Sequence, residues 1–469
     1  MNVRSLWSTD GMIKEAERLG PIPSNREGYG RAFNMAWPSI VESVLMALVN
    51  LVDTMMVSGL GTGAVAAVGI TNQPRLIVLA LIFSLNVGVI AVVARRKGQG
   101  DREGANRCMK QCMLISTLIS LVMAILCLAF CEPLMRFAGA NEEYLQDACD
   151  YFRIIMLGIV FNALSLTINA AQRGAGNTKI TMRSNMTANI VNIVLNYFLI
   201  NGHWIFPRME VKGAALATTI GFIVAFIMSF TSVCRRERQL PFLNVLSPYS
   251  WKWDKKTLGA VYKVASSAMV EQMFMRIGFF LYVKIVAALG TVAYATHQIC
   301  MNVMNISFGV GDGFNAASSA LVGQSLGAKR PDLAKLYPRI NQRMAIVGST
   351  ILAALLIIFR YSIMGMFSNE QEVILLGGIL IIMIACTTHA QTSAVIFSGS
   401  LRGAGDTKYV AMISMISIAM IRPVLAWALA YPIGFGLIGA WVAVMVDQYT
   451  RLTLFYLRFR SGKWTKIEL

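Results

Sequence analysis

Residues 113–130, MLISTLISLVMAILCLAF, carry no charged side chain, and neither do residues 344–359, MAIVGSTILAALLIIF. An apolar stretch of about 20 residues spans the hydrocarbon of a bilayer as a helix. Twelve such runs recur, near 33–58, 66–94, 108–131, 150–171, 181–206 and 213–234, then 260–289, 294–323, 342–367, 373–400, 409–432 and 436–459. Within lipid every backbone N–H and C=O must be satisfied inside its own segment, so these runs are expected to be helices. Only 14% of the residues are charged and mean hydropathy is +0.58, where a soluble chain carries about a quarter charged residues. The expected fold class is an all-α membrane protein with twelve transmembrane helices.

The chain also repeats itself. QRGAGNTKI (172–180) returns as LRGAGDTKY (401–409), and the two arginines differ by 402 − 173 = 229 positions. The same offset carries Glu42 to Glu271, Gly61 to Gly290, Gly98 to Gly327 and Ala105 to Ala334. Further on, VKGAALA (211–217) is similar to LIGAWVA (437–443), with three fewer residues between. Two tandem six-helix copies follow, an N-lobe at 31–234 and a C-lobe at 257–460. They are framed by an N-terminal segment 1–30, a linker 235–256 and a tail 461–469.

The net charge of +18 is placed in alternate connections. Arg95, Arg96, Lys97, Arg102, Arg107 and Lys110 follow the second span, and Lys329, Arg330, Lys335 and Arg339 follow the eighth. The intervening loops are uncharged (GLGTGA) or acidic (EPLMRFAGANEEYLQD). Such asymmetry is the positive-inside pattern. It puts both termini in the cytoplasm of a multi-pass protein of the cell membrane, makes the copies parallel repeats, and points to membrane lipid rather than nucleic acid as the partner. Nothing requires an oligomer, so a monomer is expected. Residues 11–20, GMIKEAERLG, are expected as a short amphipathic surface helix. In the repeated turn the glycines permit tight bending, and Asn177 or Thr178, like Asp406 or Thr407, are placed to cap the next helix.

Eight cysteines sit in or beside spans without the histidines or carboxylates that would complete a metal set. No metal triad, nucleophile–base pair or cofactor motif appears, so neither an enzyme nor a cofactor is expected. The chemistry lies in intramembrane charge, which is costly enough to demand a reason. Glu42 and Asp53 are 11 residues apart, close to three turns, on one face of the first helix. Glu271 is the repeat counterpart of Glu42, and Tyr282 that of Asp53. Lys284 and Asp312 read as a neutralising pair, and Arg422 with Asp447 as a structural pair or an interfacial anchor. His297 and His389 read as partners of neighbouring helices. Asp53 has no basic residue in its copy with an obvious place beside it. Taking a carboxylate out of water disfavours its charged form, so such a residue can trade a proton or another small cation. Asn50, Asn72, Gln73, Asn162, Asn169, Asn189, Asn192 and Asn196 supply polar groups in the first copy, and Asn302, Asn305, Asn315 and Gln391 in the second.

The chain resembles the multidrug and toxic compound extrusion (MATE) transporters over nearly its full length. The resemblance is carried by VNLVDTMMVSGLGTGAVAAVG (49–69), RGAGNTK, VEQMFMRIGFFLYVKIVAALGTVAYATHQI (270–299), LVGQSLGA (321–328) and SLRGAGDTK (400–408). It implies a twelve-helix, two-lobe antiporter that exports cationic or amphipathic small molecules against protons or sodium by alternating access. Asp53 then holds the first-helix acid position, with sodium as one possible ion there. Asn169 and Asn192 fall where some members place coordinating asparagines, and Glu271 at a seventh-helix acid. Asn196 and Gln391 stand where other members have aspartates. The resemblance thus implies an ion-coupling set of Asp53, Asn169, Asn192 and Asn196. It implies a substrate or second-proton set drawn from Glu271, Gln391, Asp312, Tyr282 and Glu42. The alternative is a lipid-linked oligosaccharide flippase of related two-lobe architecture.

Overall fold

The computed structural model describes residues 7–202, 207–234, 242–247 and 253–468, with the side chains of Asn50, Leu51, Thr54, Ser58 and Thr62 outside the description. Among these residues the long elements are all helical. They are α1 (Asn25–Ser58), α2 (Thr62–Gln99), α3 (Arg102–Ala129), α4 (Leu145–Gly174), α5 (Thr178–Asn201) and α6 (Glu210–Cys234). The second copy gives α7 (Lys255–Ala287), α8 (Thr291–Gly327), α9 (Pro331–Gly365), α10 (Gln371–Ala404), α11 (Thr407–Ala430) and α12 (Gly436–Ser461). Each expected span coincides with one helix. Eight are long and apolar enough to cross a membrane on those grounds alone. The remaining four, α5, α7, α8 and α12, carry much of the polar and charged chemistry discussed below.

The 229-residue offset is written into the backbone. Gly61 and Gly290 precede α2 and α8 with φ of 112° and 109° and ψ of 172° and 169°, a region essentially confined to glycine. The repeated turn uses its two glycines differently. Gly176 and Gly405 take φ of 87° and 90° and reverse the chain. Gly174 and Gly403 instead admit a neighbouring helix. A Cβ on Gly174 would lie 2.8 Å from the Ile90 carbonyl oxygen, and one on Gly403 would lie 2.2 Å from that of Ser319. Ile90 and Ser319 are themselves repeat counterparts (319 − 90 = 229). Gly403→Ala is therefore expected to cost about 1–3 kcal/mol through overpacking. It lowers the apparent melting temperature in a detergent thermal-shift assay. Gly30→Ala, where a Cβ meets nothing within 4 Å, leaves it unchanged or raises it.

Asn177 and Asp406 occupy the expected N-cap positions without a side-chain capping hydrogen bond. Asp406 is drawn instead to Arg458, whose Nε donates to it at 2.7 Å. α11 is interrupted by a π-helical stretch, Met415–Ile421, ahead of Pro423. Proline has no N–H to give the preceding turn. Gly278 of α7 meets this stretch, and a Cβ there would be 2.3 Å from the Ile418 carbonyl oxygen.

Two compact units form, one of residues 44–265 and one of residues 1–43 with 266–469. Their boundaries lie inside α1 and α7. The reason is local packing: a Cβ on Gly313 of α8 would be 2.7 Å from the Ile40 nitrogen, and one on Gly88 of α2 would be 2.8 Å from the Val261 carbonyl oxygen. Each copy's first helix thus starts against the other copy's second helix, so sequence repeats and packing units differ there.

The segments leading into those helices follow suit. In the 44–265 unit, the Phe242 carbonyl accepts from Arg102 at 3.2 Å and Asn106 at 2.9 Å, and buried Lys110 donates to the Ser247 carbonyl at 2.8 Å. In the other unit, Met12 and Ile13 are buried with Leu336, Tyr337 and Ile340. Arg339 donates to the Met12 carbonyl, and Lys335 pairs with Glu17 at 2.9 Å. Asn106 and Lys110 map onto Lys335 and Arg339 by the same offset. Residues 11–20 are consequently not the expected surface helix. Two three-residue turns, Asp10–Met12 and Glu15–Glu17, sit in a strap whose backbone is held by α9.

Candidate functional site

α1 brings Asp53 into the 44–265 unit, half-buried, where α5 meets it with two asparagines one turn apart. Asn196 Nδ2 donates to Asp53 Oδ1 at 2.8 Å. Asn192 satisfies its surroundings with its amide nitrogen turned to Asp53, 3.1 Å from each carboxylate oxygen. Its carbonyl oxygen then faces Thr218 of α6, 3.2 Å from the hydroxyl and 3.1 Å from the amide nitrogen. Orientation of such an amide is set by its hydrogen bonds. Asn192 and Asn196 are buried, and Asn196 Oδ1 has no hydrogen-bond partner. Among the described residues no lysine or arginine lies within ion-pair distance of Asp53. Asn169 does not join this cluster. Its Oδ1 accepts from Ser229 at 3.0 Å, and its amide nitrogen lies 3.5 Å from Ser165 and Asn185. Asn185 is two turns along α5 from Asn192.

Two buried carboxylates of the other unit, Glu271 and Asp447, are compensated. Glu271, 2% exposed, pairs with Arg402 and accepts from Ser414 at 3.0 Å. The arginine of the repeated turn thus pairs with the seventh-helix acid. Asp447, fully buried, is held by Arg422, Arg451 and Ser417. The Arg422 guanidinium lies over the Phe279 ring at 4.9 Å. The Arg422–Asp447 pair is the structural pair expected from sequence.

The remaining candidates scatter. Tyr282 is core: its hydroxyl donates to the Ala440 carbonyl at 3.2 Å and its ring packs on His297. Gln391 is wholly buried, and among the described residues neither amide atom has a hydrogen-bond partner. Glu42 is buried in the 1–43 portion of α1. Asp312 is exposed on α8. It cannot pair with Lys284 as the sequence reading had it. Lys284 lies 287 − 284 = 3 residues from the end of α7, whereas Asp312 lies 312 − 291 = 21 residues into the antiparallel α8. At 1.5 Å per residue their depths differ by about 27 Å. His389 meets Thr350 of the neighbouring α9 at 2.9 Å.

One signal for the Asp53 cluster lies in the repeat itself. Asp53, Asn192 and Asn196 map onto Tyr282, Ile421 and Leu425, and Thr218 maps onto Val444 by the shorter offset of the sixth helix. The constellation is polar as a whole in one copy and largely apolar in the other, as expected of residues that work together.

The model of the MatE family matches the chain twice, over residues 38–198 and 267–428, and the two starts differ by 267 − 38 = 229. The chain belongs to the MatE family. It is a multi-pass membrane transporter of this multidrug efflux family and has its twelve-helix fold. The probable multidrug resistance protein NorM of Thermotoga maritima is 26% identical over 433 residues, covering 92% of each chain. The uncharacterized transporter YisQ of Bacillus subtilis is also 26% identical, over 92% of this chain and 94% of its own. Among solved structures, a multidrug resistance MATE family transporter in an outward-facing conformation superposes with a TM-score of 0.87 at 19% identity. The match covers 92% of this chain and 95% of that one. The structure brings Asp53 together with Asn192 and Asn196, and it exposes on α7 a cation the sequence reading did not single out, Arg276.

Proposed function

We propose that this MatE transporter exports small amphipathic molecules in exchange for protons or sodium, and that Asp53 carries the coupling ion. The observation that carries this reading is the contrast in charge compensation. Glu271 and Asp447 each face arginine, while among the described residues Asp53 is hydrogen-bonded by amides and pairs with no cation. A carboxylate without a fixed counter-cation at span depth is suited to an exchangeable one. When Asp53 is ionised, the amide nitrogens of Asn192 and Asn196 donate to it. When it takes up a proton it becomes a donor, and a reversed Asn192 amide offers an oxygen instead. Sodium would draw on the Asp53 oxygens and on Asn196 Oδ1, which has no partner of its own. Loading the ion therefore rearranges the hydrogen bonds among Asp53, Asn192, Asn196 and Thr218, which is how occupancy would be communicated to cargo. The drug-resistance names of the relatives support an exported cargo.

The test is counterflow in proteoliposomes under separately imposed pH and sodium gradients, with rhodamine 6G and fluorescein as matched amphipathic cargo dyes. One gradient is expected to drive dye uphill. Dye movement indifferent to both gradients would rule the reading out.

A further inference from the structure

α7 has two faces. At 100° per residue, Glu271, Gly278 and Tyr282 fall within about 40° of one another and form its buried side. Opposite them, within about 80°, lie Met269, Met273, Arg276, Phe280 and Lys284. All five are exposed, Met273 at 56% and Phe280 at 69%. Lys284 sits near the end of the helix. Arg276 does not: it is 287 − 276 = 11 residues from Ala287 and 276 − 263 = 13 residues from Lys263, about 17 and 20 Å along the axis. That is within the depth of a bilayer's hydrocarbon, about 30 Å thick. Among the described residues the Arg276 side chain has no ion-pair or hydrogen-bond partner. The nearby cations Arg402 and Arg422 are both paired with carboxylates.

A bare guanidinium at this depth cannot face lipid tails without a large penalty, so its face of α7 is wet. Its neighbours on that face are apolar and adaptable. Met273 lies one turn before it and Phe280 one turn after, and methionine surfaces accept ligands of varied shape. A planar fork of donors between a thioether and a ring matches an oxyanion attached to an apolar body.

We infer that Arg276 binds the acidic group of the cargo, a carboxylate, sulfonate or phosphate, and that this transporter prefers amphipathic anions or zwitterions to simple organic cations. This rests on the coupled-export reading above and names its substrate class. Met273 and Phe280 hold the apolar body, and Lys284, about 12 Å further along the same stripe, draws the acid toward it.

The experiment uses the full chain in vesicles of phosphatidylcholine alone and, in parallel, with phosphatidylglycerol. Fluorescein and rhodamine 6G share a xanthene body and differ in charge. The wild type is expected to move fluorescein against its gradient. Arg276→Gln raises the fluorescein concentration needed for half-maximal transport about tenfold to a hundredfold and leaves rhodamine 6G transport intact. Arg276→Lys restores part of the loss, and Arg276→Glu turns the preference toward rhodamine 6G. Arg276 is exposed and, among the described residues, unpaired, so these variants keep the wild-type gel-filtration profile. Gradient-driven transport of rhodamine 6G alone, or a fluorescein response indifferent to position 276, overturns the inference and leaves coupled export standing. An effect of Arg276→Gln seen only with phosphatidylglycerol assigns the arginine to an anionic headgroup and also overturns it. A chain that moves neither dye under either gradient overturns both readings.

Discussion

Asp53→Asn abolishes uphill transport of either dye while the protein remains folded. The substitution is isosteric, so the space between α1, α5 and α6 stays filled. The new amide can still exchange hydrogen bonds with Asn192 and Asn196. What disappears is the only group in the cluster able to carry charge. Because no arginine or lysine is paired with Asp53 among the described residues, the replacement leaves no orphaned cation, and stability is expected to change by less than about 1 kcal/mol. Gel filtration and thermal unfolding in detergent should match the wild type, while gradient-driven transport falls to the level of empty vesicles. Wild-type transport in this variant would remove Asp53 from the mechanism.

The opposite pattern is expected at Asp447. Asp447→Ala strands Arg422 and Arg451, which are 2% and 9% exposed, without their shared anion. Breaking a buried pair in this way costs about 3–5 kcal/mol, because an uncompensated charge remains in a low-dielectric interior. The C-terminal helices carry this cluster, with Ser417 in the π-helical stretch bonded to it. Aggregation on extraction and loss of a monodisperse gel-filtration peak are therefore expected. Replacing all three charged residues together, Arg422→Met with Asp447→Leu and Arg451→Met, recovers much of the loss, since apolar groups of similar volume need no compensation. A well-folded Asp447→Ala variant would contradict the structural role given to this cluster. Of these two carboxylates, one is expected to be dispensable for folding and essential for transport, and the other indispensable for folding.

The frame was legible because its signals are strong and local. Uncharged runs mark the helices, and the 229-residue offset reappears as matched glycine conformations at Gly61 and Gly290. Asp53 was legible as a charge with no partner in its copy. The position of Asn169 was not, since sequence spacing does not say which asparagine of α4 faces which turn of α5. Glu271 looked like a second free acid because its partner, Arg402, lies 131 residues away within a turn read for its glycines. Arg276 was passed over although helical spacing alone sets it about 140° from Glu271. The straps were not legible, and residues 11–20 read as a helix they do not form. Residues 242–247 have no periodicity of their own, and they hold their path through Arg102, Asn106 and Lys110 of a distant helix.

The central claim is that cargo and a small cation compete through Asp53. Ion release on cargo binding tests it most directly, with purified protein titrated with whichever of fluorescein and rhodamine 6G the wild type transports. Proton release is read from calorimetry in two buffers of different ionisation enthalpy, and sodium release from a sodium-selective electrode. The account predicts close to one ion released per dye bound by the wild type and none by Asp53→Asn. Equal release from both proteins would contradict it.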